Sequence, residues 1–368
     1  MHRYLRFVIS SILLLTGCGA NHALASDGTT GTTPSATPVH RNNGAFLGHA
    51  YVTTASFISA NFNTMATNMQ FSYGTNRLFV ICGNIGSTGT LTNGSAAAPQ
   101  VTAFLNAVSA WEAANPGYKF QVFAYLSGSL LSGSSFVDVS SSSVRSNIAT
   151  EAGRFTSATA SGSYVSSANR TFDGVFMDFE PAGGTSTAAT TQFNNLKLLM
   201  DGVRTSVGTS KLTAFAAPQY STTTASTYFW TPTYYYYMAG HVDLIVAMEY
   251  DTKLQSGSDY QAWIQAQTVS ILQAVSGEYW TDGSHTAPTN GVKVLFAMPA
   301  YPNNPPNHYA VAENTAYAAP GVTAGLANVD AAASSYLGGA IVYLTTDGTG
   351  SDGYASYSTD WANFAAHW

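Results

Sequence analysis

Near-continuous apolar runs recur along the chain from residue 44 onward, separated by polar, Gly- and Ser-rich stretches. Eight of them have the length of strands: Ala45–Val52, Arg77–Gly83, Phe120–Leu126, Asp173–Glu180, Lys211–Pro218, Val242–Tyr250, Val292–Pro299 and Ala340–Thr345. Runs that are apolar on both faces fit parallel strands covered on both sides. Between them the apolar positions shift to helical spacing. Val101, Phe104, Leu105, Val108 and Trp111 form one stripe over Gln100–Ala114, with Pro99 near its start and Asn115-Pro116-Gly117 at its end. Phe193, Leu196, Leu199, Met200 and Val203 do the same over Thr190–Ser206, and Trp263, Ile264, Ile271, Leu272 and Val275 over Tyr260–Val275. Strands alternating with helices over this length predict a single (β/α)8 TIM barrel from about Gly44 to Trp368. An open, doubly wound sheet is the alternative, but no Gly-rich phosphate loop follows the first strand.

One run carries charge. In Phe172–Pro181, FDGVFMDFEP, residues of one parity (Val175, Met177, Phe179) are apolar, and Phe176, Asp178 and Glu180 share the other face. Two carboxylates side by side at the end of a buried strand repel when both are ionised. One should then stay protonated, as a general acid requires. A structural pair bonded to a loop, or half of a metal site, fits the same residues.

Composition narrows the setting. Aromatic residues make up 13% of the chain and charged residues only 9%, with Ser, Thr, Gly and Asn filling the surface instead, which suits an exported protein. The net charge of −6 and the lack of a Lys/Arg cluster argue against a nucleic-acid partner. No His/Cys cluster offers a metal site, and no cofactor is implied. Ser87–Pro99 and Ser127–Ser143 are Gly/Ser-rich and follow strands, on the side where barrel enzymes place their chemistry. The four tyrosines Tyr234–Tyr237, next to Phe229 and Trp230, read equally as a loop packed over the barrel rim or as a sugar-stacking surface. Asn303–Pro306 is a rigid loop with no assignable chemistry.

The amino-terminal residues 1–26 have the pattern of an export signal, with Arg3 and Arg6 before the apolar run Phe7–Leu15. Leu15-Thr16-Gly17-Cys18 resembles a bacterial lipobox, which would make Cys18 a lipidated N-terminus. Ala23-Leu24-Ala25 offers an ordinary cleavage site instead. Residues 27–43, rich in Thr, Gly and Pro, read as a flexible tether. The expectation is a periplasmic or cell-surface lipoprotein, or alternatively a secreted protein. It would be monomeric and touch a membrane only through the lipid. Cys82, the second of two cysteines, is expected to be buried in a strand.

Three motifs together resemble glycoside hydrolase family 18. Asp173-Gly174-Val175-Phe176-Met177-Asp178-Phe179-Glu180 is similar to its DGxDxDxE signature on the fourth strand, and Met248-Glu249-Tyr250-Asp251 to its M-x-Y-D motif on the sixth. Ala216-Ala217-Pro218-Gln219 resembles the end of the fifth strand in plant-type chitinases of that family. The resemblance implies hydrolysis of β-linked N-acetylhexosamine glycans by a retaining, substrate-assisted mechanism, of chitinase or endo-β-N-acetylglucosaminidase type. It assigns Glu180 as general acid, Asp178 as the carboxylate that orients the substrate acetamide, and Tyr250 as the phenol that hydrogen-bonds it. Asp173, Gln219, Asp251 and Tyr343 would complete the substrate-binding set, Asp173 with a largely structural part.

Two positions depart from the family pattern. Phe176 replaces the middle Asp, which removes the partner that would share a proton with Asp178. Tyr343 stands where a Trp usually floors the site. Desolvation by Phe176 should raise both carboxyls and move activity to mildly acidic pH. The alternative is a catalytically weak or inactive carbohydrate-binding protein of the same fold.

Overall fold

The computed structural model describes residues 42–223, 226–343 and 357–368. The expected export segment with Cys18, the tether up to residue 41 and residues 344–345 of the last expected strand lie outside the described residues. Eight parallel strands close into a barrel: β1 Asn43–Leu47, β2 Thr75–Asn84, β3 Gln121–Ser129, β4 Gly174–Glu180, β5 Leu212–Ala217, β6 Leu244–Met248, β7 Lys293–Pro299 and β8 Leu337–Tyr343. They neighbour one another in chain order, and β8 pairs with β1 to close the ring. The helices of eight residues or more are α1 Ala55–Thr67, α2 Gly94–Ala114, α3 Ser142–Thr156, α4 Thr187–Val207, α5 Pro232–Ala239, α6 Gly257–Ser276, α7 Thr315–Leu326 and α8 Tyr357–His367. The architecture is a (β/α)8 TIM barrel.

Local chemistry sets the helix boundaries. Ser141, Ser186 and Ser256 accept hydrogen bonds from the backbone N–H three residues on, at the starts of α3, α4 and α6. Gly277, left-handed at φ +87°, ends α6. α7 packs against α6 through glycines. A Cβ on Gly321 would lie 2.8 Å from the Gln261 carbonyl, and one on Gly325 would lie 2.5 Å from the Thr268 side chain.

The alternation of strand side chains divides the core in two. Outward-facing residues pack under the helices. The lumen holds Phe46, Phe79, Phe123, Tyr125 and Phe176 on one side and the smaller Ala214, Ala216, Val246 and Ala297 on the other. Phe79 stacks on Phe123 with centroids 4.5 Å apart, and Phe176 meets Phe46 and Phe79 at 5.4 Å. Such pairs add about 0.5–1.5 kcal/mol each beyond area burial. They plug the barrel beneath its carboxyl-terminal mouth.

Two expectations are corrected. The first apolar run stops being strand at Leu47, and Ala50–Thr53 turn into a short helix whose Tyr51 packs edge-on against Phe104 of α2 at 6.5 Å. Both uses bury the run, so apolarity alone does not separate them. The four tyrosines belong to helix α5 rather than to a rim loop. Tyr234 stacks on Phe193 at 4.0 Å, and buried Tyr235 donates to the Pro218 carbonyl at 2.5 Å, so both are core residues. Cys82 is a buried free thiol on β2.

Candidate active site

At the carboxyl ends of the strands the barrel presents a group of acids and phenols. β4 ends in Asp178 and Glu180, which share its lumen-side parity with Phe176 below them. The parallel register sets Tyr125 of β3 beside Phe176, Ser127 beside Asp178 and Ser129 beside Glu180. Tyr125 is therefore one pleat below Asp178, and its phenol donates a hydrogen bond to Asp178 Oδ2. Asp178 Oδ1 is buried and has no hydrogen-bond partner among the described residues. Burial lifts the Asp178 carboxyl to about 6, with the Tyr125 hydrogen bond pulling the other way. Glu180 rises further, from burial first and then from the negative charges of Asp178 and Asp251. Burial and mutual repulsion thus favour a proton on the pair, with Glu180 the more strongly raised of the two.

β6 supplies the facing wall. Just past its last ladder residue, Tyr250 stacks on Tyr343 of β8, with centroids 5.2 Å apart and planes 16° apart. Tyr301, after β7, meets both edge-on at 5.9 and 5.7 Å. Asp251 adopts φ +60°, unusual for a residue with a Cβ. Tyr301 Oη donates to its Oδ1 at 2.7 Å, and Glu313 accepts from the Thr252 N–H at 3.0 Å, which holds the turn. Gln219 donates its side-chain amide to the Tyr250 carbonyl, so it steadies Tyr250 through the backbone.

The structure thus brings Asp178, Glu180, Tyr250, Asp251, Tyr343 and Gln219 to one mouth. Asp173 is not there. It precedes β4 at the opposite end of the barrel, where it pairs with Arg170 at 3.0 Å and accepts from the Val122 N–H at 2.9 Å. Six strand residues, Gly174 to Phe179, separate it from Glu180, roughly 20 Å along β4. Its inclusion among substrate-binding residues is corrected: Asp173 ties β4 to β3 and to the loop carrying Arg170. A pocket lined by Lys119, Gln121, Arg170 and Asp173 belongs to that same end and is remote from the carboxylates.

Sequence reasoning missed Tyr125 and Tyr301. Tyr125 sits mid-run in an apolar strand, where a tyrosine reads as core. Only the register of β3 against β4 places its hydroxyl under Asp178. Both carboxyls of β4 are raised by burial, as the apolar surroundings predict. Among the described residues no group of three or more His, Cys, Asp or Glu side chains could hold a metal ion. Nor is any helix there long and apolar enough to cross a membrane.

No protein-family profile matches the sequence, and no curated protein matches it. Solved structures do. The chain resembles the spore cortex-lytic enzyme SleL of Bacillus cereus at 12% identity and TM-score 0.51, over 89% of this chain and 74% of that one. It resembles a chitinase from Bacteroides thetaiotaomicron at 11% and 0.52, over 88% and 96%. A family GH18 chitinase from Chromobacterium violaceum gives 13% and 0.51, over 88% and 83%. The fold is therefore chitinase-like, and identities this low carry the likeness no further than the fold.

Proposed function

We propose that the protein is a glycoside hydrolase that cleaves β-linked N-acetylhexosamine glycans with retention of anomeric configuration. The observation that carries this reading is the asymmetry of the carboxyl pair: Asp178 is tethered through one oxygen by Tyr125 while the other lacks a partner, and burial with the neighbouring negative charges raises Glu180 well above the usual carboxyl range. In the proposed reaction Glu180 gives its proton to the glycosidic oxygen as the bond to the anomeric carbon breaks. The acetamide oxygen of the same sugar attacks that carbon, forming a cyclic oxazolinium and releasing the leaving sugar as an alcohol. Asp178 Oδ1 accepts the acetamide N–H and balances the positive charge, and Tyr250 Oη donates to the acetamide oxygen to hold it in line. Water then opens the ring, giving its proton to Glu180. The motif resemblance and the likeness of the fold to chitinases and to the spore cortex-lytic enzyme SleL support the glycan class. Chitin, the chitobiose core of N-glycans, peptidoglycan and an N-acetylated exopolysaccharide all supply the acetamide.

Phe176 favours a second reading, a sugar-binding protein with a weak or silent site, because its ring cannot accept the proton that the family's middle Asp would share. A screen of purified protein against the four substrate classes, with Glu180→Gln as control, separates the two. The first reading predicts cleavage that the Gln variant loses while keeping binding; binding without cleavage at any pH from acid to neutral supports the second. We further propose that a single barrel domain from about Gly44 to Trp368 is exported and anchored through Cys18 on the 27–43 tether. Mass spectrometry of the mature N-terminus checks this: an unlipidated chain starting at Ser26 refutes the anchor.

A further inference from the structure

We propose that Tyr125 is the positioning residue that directs the proton of the carboxyl pair to Glu180, by donating its phenolic hydrogen to Asp178. The inference takes its catalytic meaning from the hydrolase reading above, but the placement of the proton is a property of the free protein.

A carboxyl that receives a hydrogen bond from a neutral donor is favoured in its ionised form, and one that receives none is not. The Tyr125 bond is made to Asp178 Oδ2, and Asp178 Oδ1 receives none among the described residues. The donor cannot easily swing away. Its ring sits edge-on to Phe176 at 4.9 Å and tilted against Phe46 at 5.6 Å, in the packed lumen of the barrel. Phe176 itself occupies the position where a third carboxyl would compete for the proton, and it has no polar atom to offer. One donor and two acids then leave one ordering, Asp178 ionised and Glu180 protonated. The remaining groups that face the pair are Tyr250, Asp251, Tyr343 and Tyr228. Tyr250 and Tyr228 stay neutral through the working range, because burial raises both phenols. Asp251 repels charge on Glu180 and so acts in the same direction as Tyr125.

Removing the phenol should redistribute the proton rather than merely loosen the site. Without its donor, Asp178 is a buried carboxylate with no partner on either oxygen, and the proton moves to it. Glu180 is then ionised and cannot act as acid. A hydrogen bond to a charged group carries a factor of about 10 to 100, and that is the expected fall in kcat for Tyr125→Phe, with KM little changed. The acid limb of the kcat/KM profile should move to higher pH, since Asp178 then keeps its proton longer.

Two measurements on the full-length protein test this. The first is infrared difference spectroscopy of the protonated-carboxyl band at neutral pH, assigned with Glu180→Gln and Asp178→Asn. Buried Glu249 contributes a component common to every variant; beyond it, one component should vanish with Glu180→Gln in the wild-type background and with Asp178→Asn in the Tyr125→Phe background. The same assignment in both backgrounds overturns the proposal. The second is the pH–rate profile on an N-acetylchitooligosaccharide, including a chain in which Tyr125 is replaced by 3,5-difluorotyrosine. This isostere keeps the fold should the Phe variant not fold. Its more acidic phenol should shift the acid limb to lower pH, and an unmoved limb overturns the proposal. A wild type that cleaves nothing, yet shows the exchange of the infrared band, refutes the hydrolase reading and leaves the role of Tyr125 standing.

Discussion

Glu249 offers a test in which the magnitude follows from burial alone. It directly follows Met248 at the end of β6, and its parity turns it outward, under the helices, while its neighbours Met248 and Tyr250 face the lumen. The residue is fully buried, and neither carboxyl oxygen has a partner among the described residues. The two phenols that sense its charge are committed elsewhere: Tyr260 donates to the Glu249 backbone carbonyl at 2.5 Å and Tyr235 to that of Pro218. Burial therefore pushes the carboxyl up to about 8, from an ordinary 4.5. Between those values the unfolded chain has released the proton and the folded chain retains it. The unfolded state thus binds fewer protons, and stability falls as pH rises. At ~1.4 kcal/mol per unit, this one group removes about 2.5 kcal/mol between pH 5 and pH 7. Glu249→Gln carries no titration. Whatever constant offset the buried amide introduces, the stability of the variant relative to wild type should climb by about that amount over the same interval. Other raised carboxyls, Asp178 and Glu180 among them, are common to both proteins and drop out of the difference. Urea denaturation at pH 5, 6 and 7 measures it. Wild type and variant keeping a constant gap across that range would refute the reasoning.

Other consequences are open to measurement. Phe176→Asp places a carboxyl among Phe46, Phe79 and Tyr125; it should lower stability by several kcal/mol at neutral pH and less at acid pH, read by thermal denaturation at both. Gln219→Ala frees the Tyr250 carbonyl and should reduce kcat more than it raises KM, because the misplaced phenol acts on the reacting acetamide; an unchanged kcat counts against it. Glu313→Ala removes the acceptor of the Thr252 N–H and should destabilise the fold by about 1.5–3 kcal/mol, measured by urea titration. In the pH–rate profile of the wild type, the acid limb should fall near pH 6, where Asp178 takes up its proton, and the basic limb higher, where Glu180 loses its own.

The strands were legible because parallel barrel strands are buried on both faces and so leave unbroken apolar runs. Helices with a stripe of large residues, such as α2 and α4, were equally visible. α7 was not, because its contact with α6 is made through Gly321 and Gly325, and close backbone approach leaves no large side chains to count. Asp178, Glu180 and Tyr250 stood out because carboxylates and a motif tyrosine end apolar runs. Asp173 belonged to the same motif, yet strand length alone carries it to the far end of β4. Tyr125 and Tyr301 were hidden for the opposite reason. Each is an aromatic in an apolar context, and its role depends on which strand lies beside it, information that resides in the register and not in the run.

In the proposed mechanism the substrate's own acetamide displaces the leaving group with Glu180 as acid. The most direct test follows, by proton NMR, the anomeric configuration of the first product released from an N-acetylchitooligosaccharide, with a fully deacetylated oligosaccharide of the same length alongside. The account predicts that the β-anomer forms first, that Glu180→Gln abolishes its release, and that the deacetylated chain is left intact. Release of the α-anomer, or cleavage of the deacetylated chain at a comparable rate, would contradict it.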